Sequence, residues 1–241
     1  MKAIILAAGI GSRLGLKDIP KPMYEINRKP ILEHNLLLLK QHEIKDIRIT
    51  LHHRGEVIKN YFNDGLKWDV NISYSYEKDL LGTSGALKQL EEFIDKEPFF
   101  VVYGDNYTNI NLTEMLEMHM NTRPIATIAM FDPDVAINCQ IAGGKISLDE
   151  NNNLRSFIEG NNKDYKGYVN AGIYILEHEI LNYIPGGVSD FGKNIFPTLL
   201  ENKIQMKGYI TNDYVIAIDT NEALEIANQV AGSFEKNKNV R

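Results

Sequence analysis

Through the first 131 residues of this 241-residue chain, short β-prone runs alternate with helix-period segments, and few folds can absorb that alternation. The runs fall near 2–6, 46–51, 71–76, 99–103 and 125–131, and the helical segments near 31–42, 55–62, 84–93 and 112–121. Repeated strand, helix and strand implies βαβ units, right-handed crossovers and an α/β fold with a mostly parallel central sheet. Beyond residue 131 the pattern changes. Gln140–Ala142, Lys145–Leu148 and Leu154–Ile158 are short β-prone stretches separated by Gly143-Gly144 and by Asp149-Glu150-Asn151-Asn152-Asn153, both turn signals, so antiparallel hairpins are expected to be added to the sheet. Helices are expected near 177–183, 191–202 and 221–230, a strand at 214–218, and a frayed polar tail over 235–241.

With 44% hydrophobic residues the chain can bury a substantial core, and one domain over 1–241 is the expectation. No run of eighteen apolar residues occurs and the first residues read as a strand rather than a leader, so a soluble, cytoplasmic protein without a membrane partner is expected. Cys139 is the lone cysteine, which excludes an internal disulfide framework and a thiolate zinc cluster. A net charge of −6 argues against nucleic acid as a partner.

Local charge runs against that balance at the amino-terminal end. The run Ala3–Leu6 leads into Gly9-x-Gly11-x-Arg13, small residues that let the backbone approach an anion and offer it N–H donors. Residues 1–30 hold six Lys or Arg against two Asp or Glu, and Arg13 and Lys21 flank the loop. The dinucleotide fingerprint would need glycine where Leu14 stands, and no Gly-Lys-Ser/Thr follows at P-loop spacing, so neither NAD nor a Walker-type site is indicated. Lys21, between Pro20 and Pro22, has a backbone fixed by both rings.

In open parallel sheets ligands sit outside the carboxyl ends of the strands. Three polar groups fall at such ends: Gly9–Arg13, Gly104-Asp105-Asn106 and Asp219. Two aspartates from separate strand ends match what Mg²⁺ prefers, a few carboxylates completed by phosphate oxygens and water. Each also has a bland reading: Asp219 begins Asp-x-x-Glu222, a capping-box pattern, and Asp105 suits a turn. His52-His53 has no third ligand at metal spacing. Asp132-Pro133-Asp134 mimics the Asp-x-Asp metal motif of glycosyltransferases, with a proline turn as the plainer reading.

Taken together, Leu6-Ala7-Ala8-Gly9-Ile10-Gly11-Ser12-Arg13-Leu14, Pro20-Lys21-Pro22 and Glu77-Lys78-Asp79-Leu80-Leu81-Gly82-Thr83-Ser84-Gly85-Ala86 resemble the motifs of the sugar-1-phosphate nucleotidyltransferase family. So do Ser156-Phe157-Ile158-Glu159, Val169-Asn170-Ala171-Gly172-Ile173-Tyr174 and Asp190-Phe191-Gly192-Lys193 before Phe196-Pro197, the last as in members making GDP-mannose or GDP-heptose. The resemblance implies a Rossmann-like three-layer αβα fold with a mixed, mostly parallel sheet and a small antiparallel hairpin insertion. It implies a nucleotide-binding half over about 1–131 and a sugar-binding half over about 132–234. Leu6, Ala8, Gly9, Gly11, Ser12, Gly82 and Thr83 would meet the nucleotide, with Thr83 or Ser84 capping a helix. Gly104, Glu159, Asn170 and Gly172 would meet the sugar, Asp105 and Asp219 would hold Mg²⁺, and Arg13, Lys21 and Asp105 would carry the catalysis. Where the family places Lys-Pro after the glutamate, Gly160-Asn161 stand here, so a cation such as Lys163 must come from elsewhere or the acceptor differs.

The implied reaction joins a nucleoside triphosphate, GTP by this resemblance, to a sugar 1-phosphate with release of pyrophosphate, serving nucleotide-sugar supply for capsule or lipopolysaccharide. CTP, UTP or dTTP with another phosphorylated acceptor is the nearest alternative. A glycosyltransferase using Asp132 and Asp134, or a non-catalytic nucleotide-sugar sensor, stands further off. The oligomeric state is left open, with a homo-oligomer allowed.

Overall fold

In a computed structural model, residues 1–9, 19–138, 143–160 and 167–238 are described. In chain order they form β1 (Lys2–Leu6), a hairpin of β2 (Glu25–Ile26) and β3 (Lys29–Pro30), α1 (Ile31–Gln41), β4 (Asp46–Leu51), α2 (Gly55–Phe62) and β5 (Asn71–Tyr76). Next come α3 (Gly82–Lys88), β6 (Phe99–Tyr103), β7 (Asn106–Thr108), α4 (Leu112–Thr122) and β8 (Ala126–Phe131). The remainder is β9 (Lys145–Leu148), β10 (Leu154–Ile158), β11 (Tyr168–Leu176), α5 (Phe196–Glu201), β12 (Met206–Thr211), β13 (Val215–Ala217) and α6 (Asn221–Lys238).

The central sheet runs β10-β9-β11-β6-β1-β4-β5, with β8 also on β11 and β12 on β8. β6, β1, β4 and β5 are mutually parallel, as the alternation requires. β11 is antiparallel to β6, with Ile173 opposite Val102, so its first residues lie beside the carboxyl end of β6. The expected hairpin is present as β9 and β10, and it joins the sheet through Lys145 opposite Val169.

Alternation along each strand divides the apolar core into two layers. Ile5, Phe100, Val102, Ala129 and Ile173 pack with Leu36 and Leu39 of α1, Phe62 of α2 and Met115 of α4 on one face. Ile4, Phe99, Val101, Ile128 and Tyr174 pack with Leu87 of α3 and Phe196 and Leu199 of α5 on the other. A third cluster seats α6, through Ala223, Ala227 and Val230, on Ile216, Ile218 and Tyr107.

Several local expectations are corrected. The strand expected at 214–218 is β13, and it pairs with β7 in a separate two-stranded antiparallel sheet, Ala217 opposite Asn106, instead of extending the parallel one. Asp219 therefore reaches the mouth from a small appended sheet. The segment expected as a helix at 191–202 begins as a π turn over Phe191–Ile195, with Ile195 N–H donating to the Asp190 carbonyl at 3.2 Å, before α5, whose first turn accommodates Pro197 without loss of a donor. The segment at 177–183 is 3₁₀ rather than α, over His178–Tyr183. Gln140–Ala142 and Cys139 lie outside the described residues. Among those described, no helix is long and apolar enough to cross a membrane.

One buried contact sets an acid limit on this fold. His119 in α4 is fully buried, its Nδ1 2.8 Å from Thr127 Oγ1 and its Nε2 3.3 Å from Glu177 Oε1, and burial pushes its pKa down to about 4. The unfolded chain takes up this proton near pH 6.5, whereas the folded one refuses it until about pH 4, so stability is full above 6.5 and falls as pH drops towards 4. The protein should be less stable at pH 5 than at pH 8 by about 2 kcal/mol from this group. Urea unfolding at the two pH values checks it, and His119→Gln should flatten the difference.

Candidate active site

Lys21 opens a 3₁₀ turn over Lys21–Met23, entered from extended Pro20 and tied by Met23 N–H to the Pro20 carbonyl at 2.8 Å. The turn buries the lysine, leaving it 7% exposed, and directs Nζ at two carboxylates: Asp105 Oδ2 at 2.5 Å and Asp219 Oδ1 at 2.5 Å. Burial alone would lower the Lys21 pKa, but the charge and hydrogen bond of Asp105, with those of Asp219, outweigh it and leave it raised. The lysine is held as a cation.

The two aspartates converge for a backbone reason. Asp105 leaves the buried end of β6, and the next residue begins β7, paired with β13. Ile218 N–H donates to the Asp105 carbonyl at 3.0 Å, locking Asp219 alongside. The capping-box reading of Asp219 fails, since the side chain that caps α6 is Thr220, whose Oγ1 accepts from Ala223 N–H at 3.1 Å. Asp219 lines the second cavity.

Two cavities meet at Asp105. The first, of about 320 Å³, is lined by Leu6, Ala7, Ala8, Gly9, Lys21, Pro22, Thr50, Glu77, Leu80, Gly82, Thr83, Tyr103 and Asp105. The second, of about 230 Å³, contains Glu159, Asn170, Gly172, Asp190, Gly192, Lys193 and Asp219, and shares Thr83, Tyr103 and Asp105 with the first. Thr50 Oγ1 accepts from Ala7 N–H at 3.3 Å and so holds the chain as it leaves β1. Tyr103 is partly buried between the two cavities, and its desolvation there pushes the phenol up to about 12 and keeps it neutral.

The second cavity is polar by construction. Asn170 donates to the Tyr174 hydroxyl at 2.8 Å and accepts from Gly172 N–H at 3.1 Å, at an irregularity in the pairing of β11 with β8. The Glu159 carboxylate packs against Gly192, where a Cβ would fall 2.1 Å from Oε2, so that position admits no side chain without displacing the acid. Burial raises the Glu159 pKa, the neighbouring Lys193 charge lowers it, and Asp190 adds to the rise.

Of the expected site residues, Leu6, Ala8, Gly9, Lys21, Gly82, Thr83 and Asp105 line the first cavity, and Glu159, Asn170, Gly172 and Asp219 line the second. Gly104 lines neither: its N–H donates to the Leu6 carbonyl at 2.9 Å, and it packs against β1. Gly11, Ser12, Arg13 and Lys163 lie outside the described residues. Neither Thr83 nor Ser84 caps α3. The Asp190 carboxylate does that from 107 residues away, accepting from Thr83 N–H and Oγ1 at 3.2 Å each, while the Ser189 carbonyl takes Ser84 and Gly85 N–H. Asp190, Lys193 and Tyr103 were not singled out individually from the sequence, although the Asp190-to-Lys193 motif was the available signal. Asp132 Oδ1 accepts from Asp134 N–H at 2.9 Å, the turn expected of Asp-Pro-Asp, and lines neither cavity. His52 Nδ1 lies 2.9 Å from the Glu77 carbonyl.

Lys21 is thus braced by two carboxylates between adjoining cavities at the carboxyl end of a parallel sheet, where α/β folds bind their ligands. Comparison with known proteins narrows the class. The nucleotidyl transferase family matches residues 2–220. The UTP–glucose-1-phosphate uridylyltransferase of Synechocystis is 36% identical over 221 residues, 84% of this chain and 56% of that protein. The D-glycero-α-D-manno-heptose 1-phosphate guanylyltransferase of Campylobacter jejuni is 36% identical over 232 residues, 92% of this chain and 96% of that one. Among solved structures, HddC of Yersinia pseudotuberculosis complexed with GMP-PN superposes with a TM-score of 0.79 at 25% identity, covering 95% of this chain and 98% of its own. The chain belongs to the nucleotidyl transferase family, on its sugar-1-phosphate side.

Proposed function

We propose that the protein transfers a nucleotidyl group from GTP to a sugar 1-phosphate of mannose or heptose type, releasing pyrophosphate. The observation that carries this reading is Lys21, fixed between Asp105 and Asp219 where the two cavities meet. Similarity to a heptose 1-phosphate guanylyltransferase along 96% of that protein supports the choice of base and sugar. In this reading the half over about 1–131 holds the nucleotide in the first cavity and the half over about 132–234 holds the acceptor in the second.

An oxygen of the acceptor phosphate attacks the α-phosphorus in line. One P–O bond forms, the bond from the α-phosphorus to the β-bridging oxygen breaks, and pyrophosphate leaves with that electron pair. The nucleophile is already anionic, so no general base is needed, and the work of the protein is alignment and neutralisation of charge. Lys21 supplies a fixed positive charge, and Arg13 is assigned to the triphosphate as its second cation. Asp105 and Asp219 fit Mg²⁺ by donor chemistry, as hard oxygens part-exposed to the cleft, and Lys21 Nζ stands at the point where they converge in this structure. When bound, Mg²⁺ would neutralise phosphate charge and polarise the α-phosphoryl oxygens.

Pyrophosphate release, measured with GTP, CTP, UTP, dTTP and ATP against a panel of sugar 1-phosphates, tests the proposal. Release is expected with GTP and a manno-configured acceptor and should cease on adding EDTA. Release with a different pair would correct the substrates, and release unaffected by EDTA would remove the metal.

A further inference from the structure

Tyr174 stands in the apolar core yet carries a hydroxyl that the core does not need. It is wholly buried, its ring 5.2 Å from those of Phe191 and Phe196, where the ring of a phenylalanine would pack equally well. A buried hydroxyl costs free energy unless it is hydrogen-bonded, so its partners hold the reason for it. Asn170 Nδ2 donates to it at 2.8 Å, and it donates to the Tyr103 hydroxyl at 3.2 Å. Tyr103 in turn hydrogen-bonds Thr83, whose Oγ1 lies 3.2 Å from Asp190 Oδ1.

The far end fixes the direction of this chain. A carboxylate only accepts, so Thr83 donates to Asp190, Tyr103 to Thr83 and Tyr174 to Tyr103. Phe191 N–H, donating to Thr83 Oγ1 at 3.0 Å, takes the second lone pair of that oxygen. Burial pushes the Tyr174 phenol well above its ordinary range and that of Tyr103 up to about 12, so both protons stay in place near neutral pH. At the near end, Asn170 Oδ1 accepts from Gly172 N–H at 3.1 Å and one Nδ2 hydrogen goes to Tyr174, while the other has no partner among the described residues. The amide is keyed at both ends, and it offers the second cavity a donor.

Resting on the transferase reading above, we infer that Tyr174 and Tyr103 are positioning residues. Their hydroxyls lock the Asn170 amide so that it donates to an oxygen of the sugar 1-phosphate, and they anchor that contact to Thr83 on the nucleotide wall.

The test begins with a split between the substrates. Tyr174→Phe should raise KM for mannose 1-phosphate about fivefold, the worth of one hydrogen bond, while KM for the triphosphate stays within about twofold. Since Tyr174 acts through Asn170, adding Tyr174→Phe to Asn170→Ala should move the acceptor KM by less than about twofold more. An acceptor KM unchanged in Tyr174→Phe, or the full loss repeated in the double variant, overturns the inference with the transferase reading intact. Exchange of the Asn170 side-chain amide protons with solvent, assigned by their absence from Asn170→Ala, reads the chain without any substrate. Tyr174→Phe and Tyr103→Phe should each speed it about fivefold, and exchange at the wild-type rate in either overturns the assignment. Should the wild type release no pyrophosphate with any pair, the transferase reading falls, and this exchange alone decides whether the phenols lock the amide.

Discussion

Replacing Asp105 by asparagine lowers turnover about a hundredfold, equivalent to about 2.7 kcal/mol of transition-state stabilisation, with the fold intact. The substitution keeps the shape of the side chain and an oxygen to accept from Lys21 Nζ, so the 3₁₀ turn at Lys21–Met23 is not released. What disappears is one negative charge at the junction of the cavities, and with it one of the two carboxylates assigned to Mg²⁺. The concentration of Mg²⁺ giving half-maximal rate should rise together with the fall in turnover, while the melting temperature stays within a few degrees of wild type. Lys21→Ala should cost turnover by the same order, but it is the less clean variant. It removes the cation between two carboxylates and leaves them facing each other, which costs stability as well as rate. Asp105→Asn turning over at near the normal rate would remove Asp105 from the catalytic centre.

How far this site could be read in the sequence follows from the range of each interaction. β1 and β6 are continuous apolar runs buried on both faces, and such runs announce themselves without any knowledge of their partners. Asp105 and Lys21 were legible for the same reason, one standing at the end of such a run and the other held between prolines. Their contact was not, because it spans 84 residues, and the contact of Lys21 with Asp219 spans 198. β12 escaped notice because Lys207 and Gly208 interrupt its apolar pattern, and it is a strand only because β8 pairs along its whole length. The cap on α3 is the sharpest case. Thr83 and Ser84 are residues of the right kind at the right place, yet the donors of that helix are satisfied by Ser189 and Asp190, which reach it only through the tertiary fold.

That same junction makes Gly82→Ala the substitution with the largest expected structural effect. Gly82 has φ +74°, where an L side chain costs about 1–2 kcal/mol, and its Cβ would fall 2.4 Å from the Ser189 carbonyl oxygen. The carbonyl cannot simply retreat, because it accepts from Ser84 N–H at 3.0 Å and from Gly85 N–H at 3.1 Å, and Ser189 N–H donates to the Leu81 carbonyl at 2.9 Å. Overpacking of this kind costs about 1–3 kcal/mol, and each strained hydrogen bond about 1 more, so the total is on the order of 4 kcal/mol. At about 2–4 °C per kcal/mol for a chain of this size, the melting temperature should fall by roughly 8–16 °C. The molecules that remain folded should show the loss first in the nucleotide, since Thr83 lines the first cavity and its N–H and Oγ1 are held by Asp190. Thr83→Ala separates the two effects: it deletes the hydroxyl contacts without moving the backbone and should lower the melting temperature by only about a quarter as much. A Gly82→Ala protein melting within 2 °C of wild type would show that the segment bearing Ser189 and Asp190 can move away from α3, and the rigid coupling between the two cavities would be lost with it.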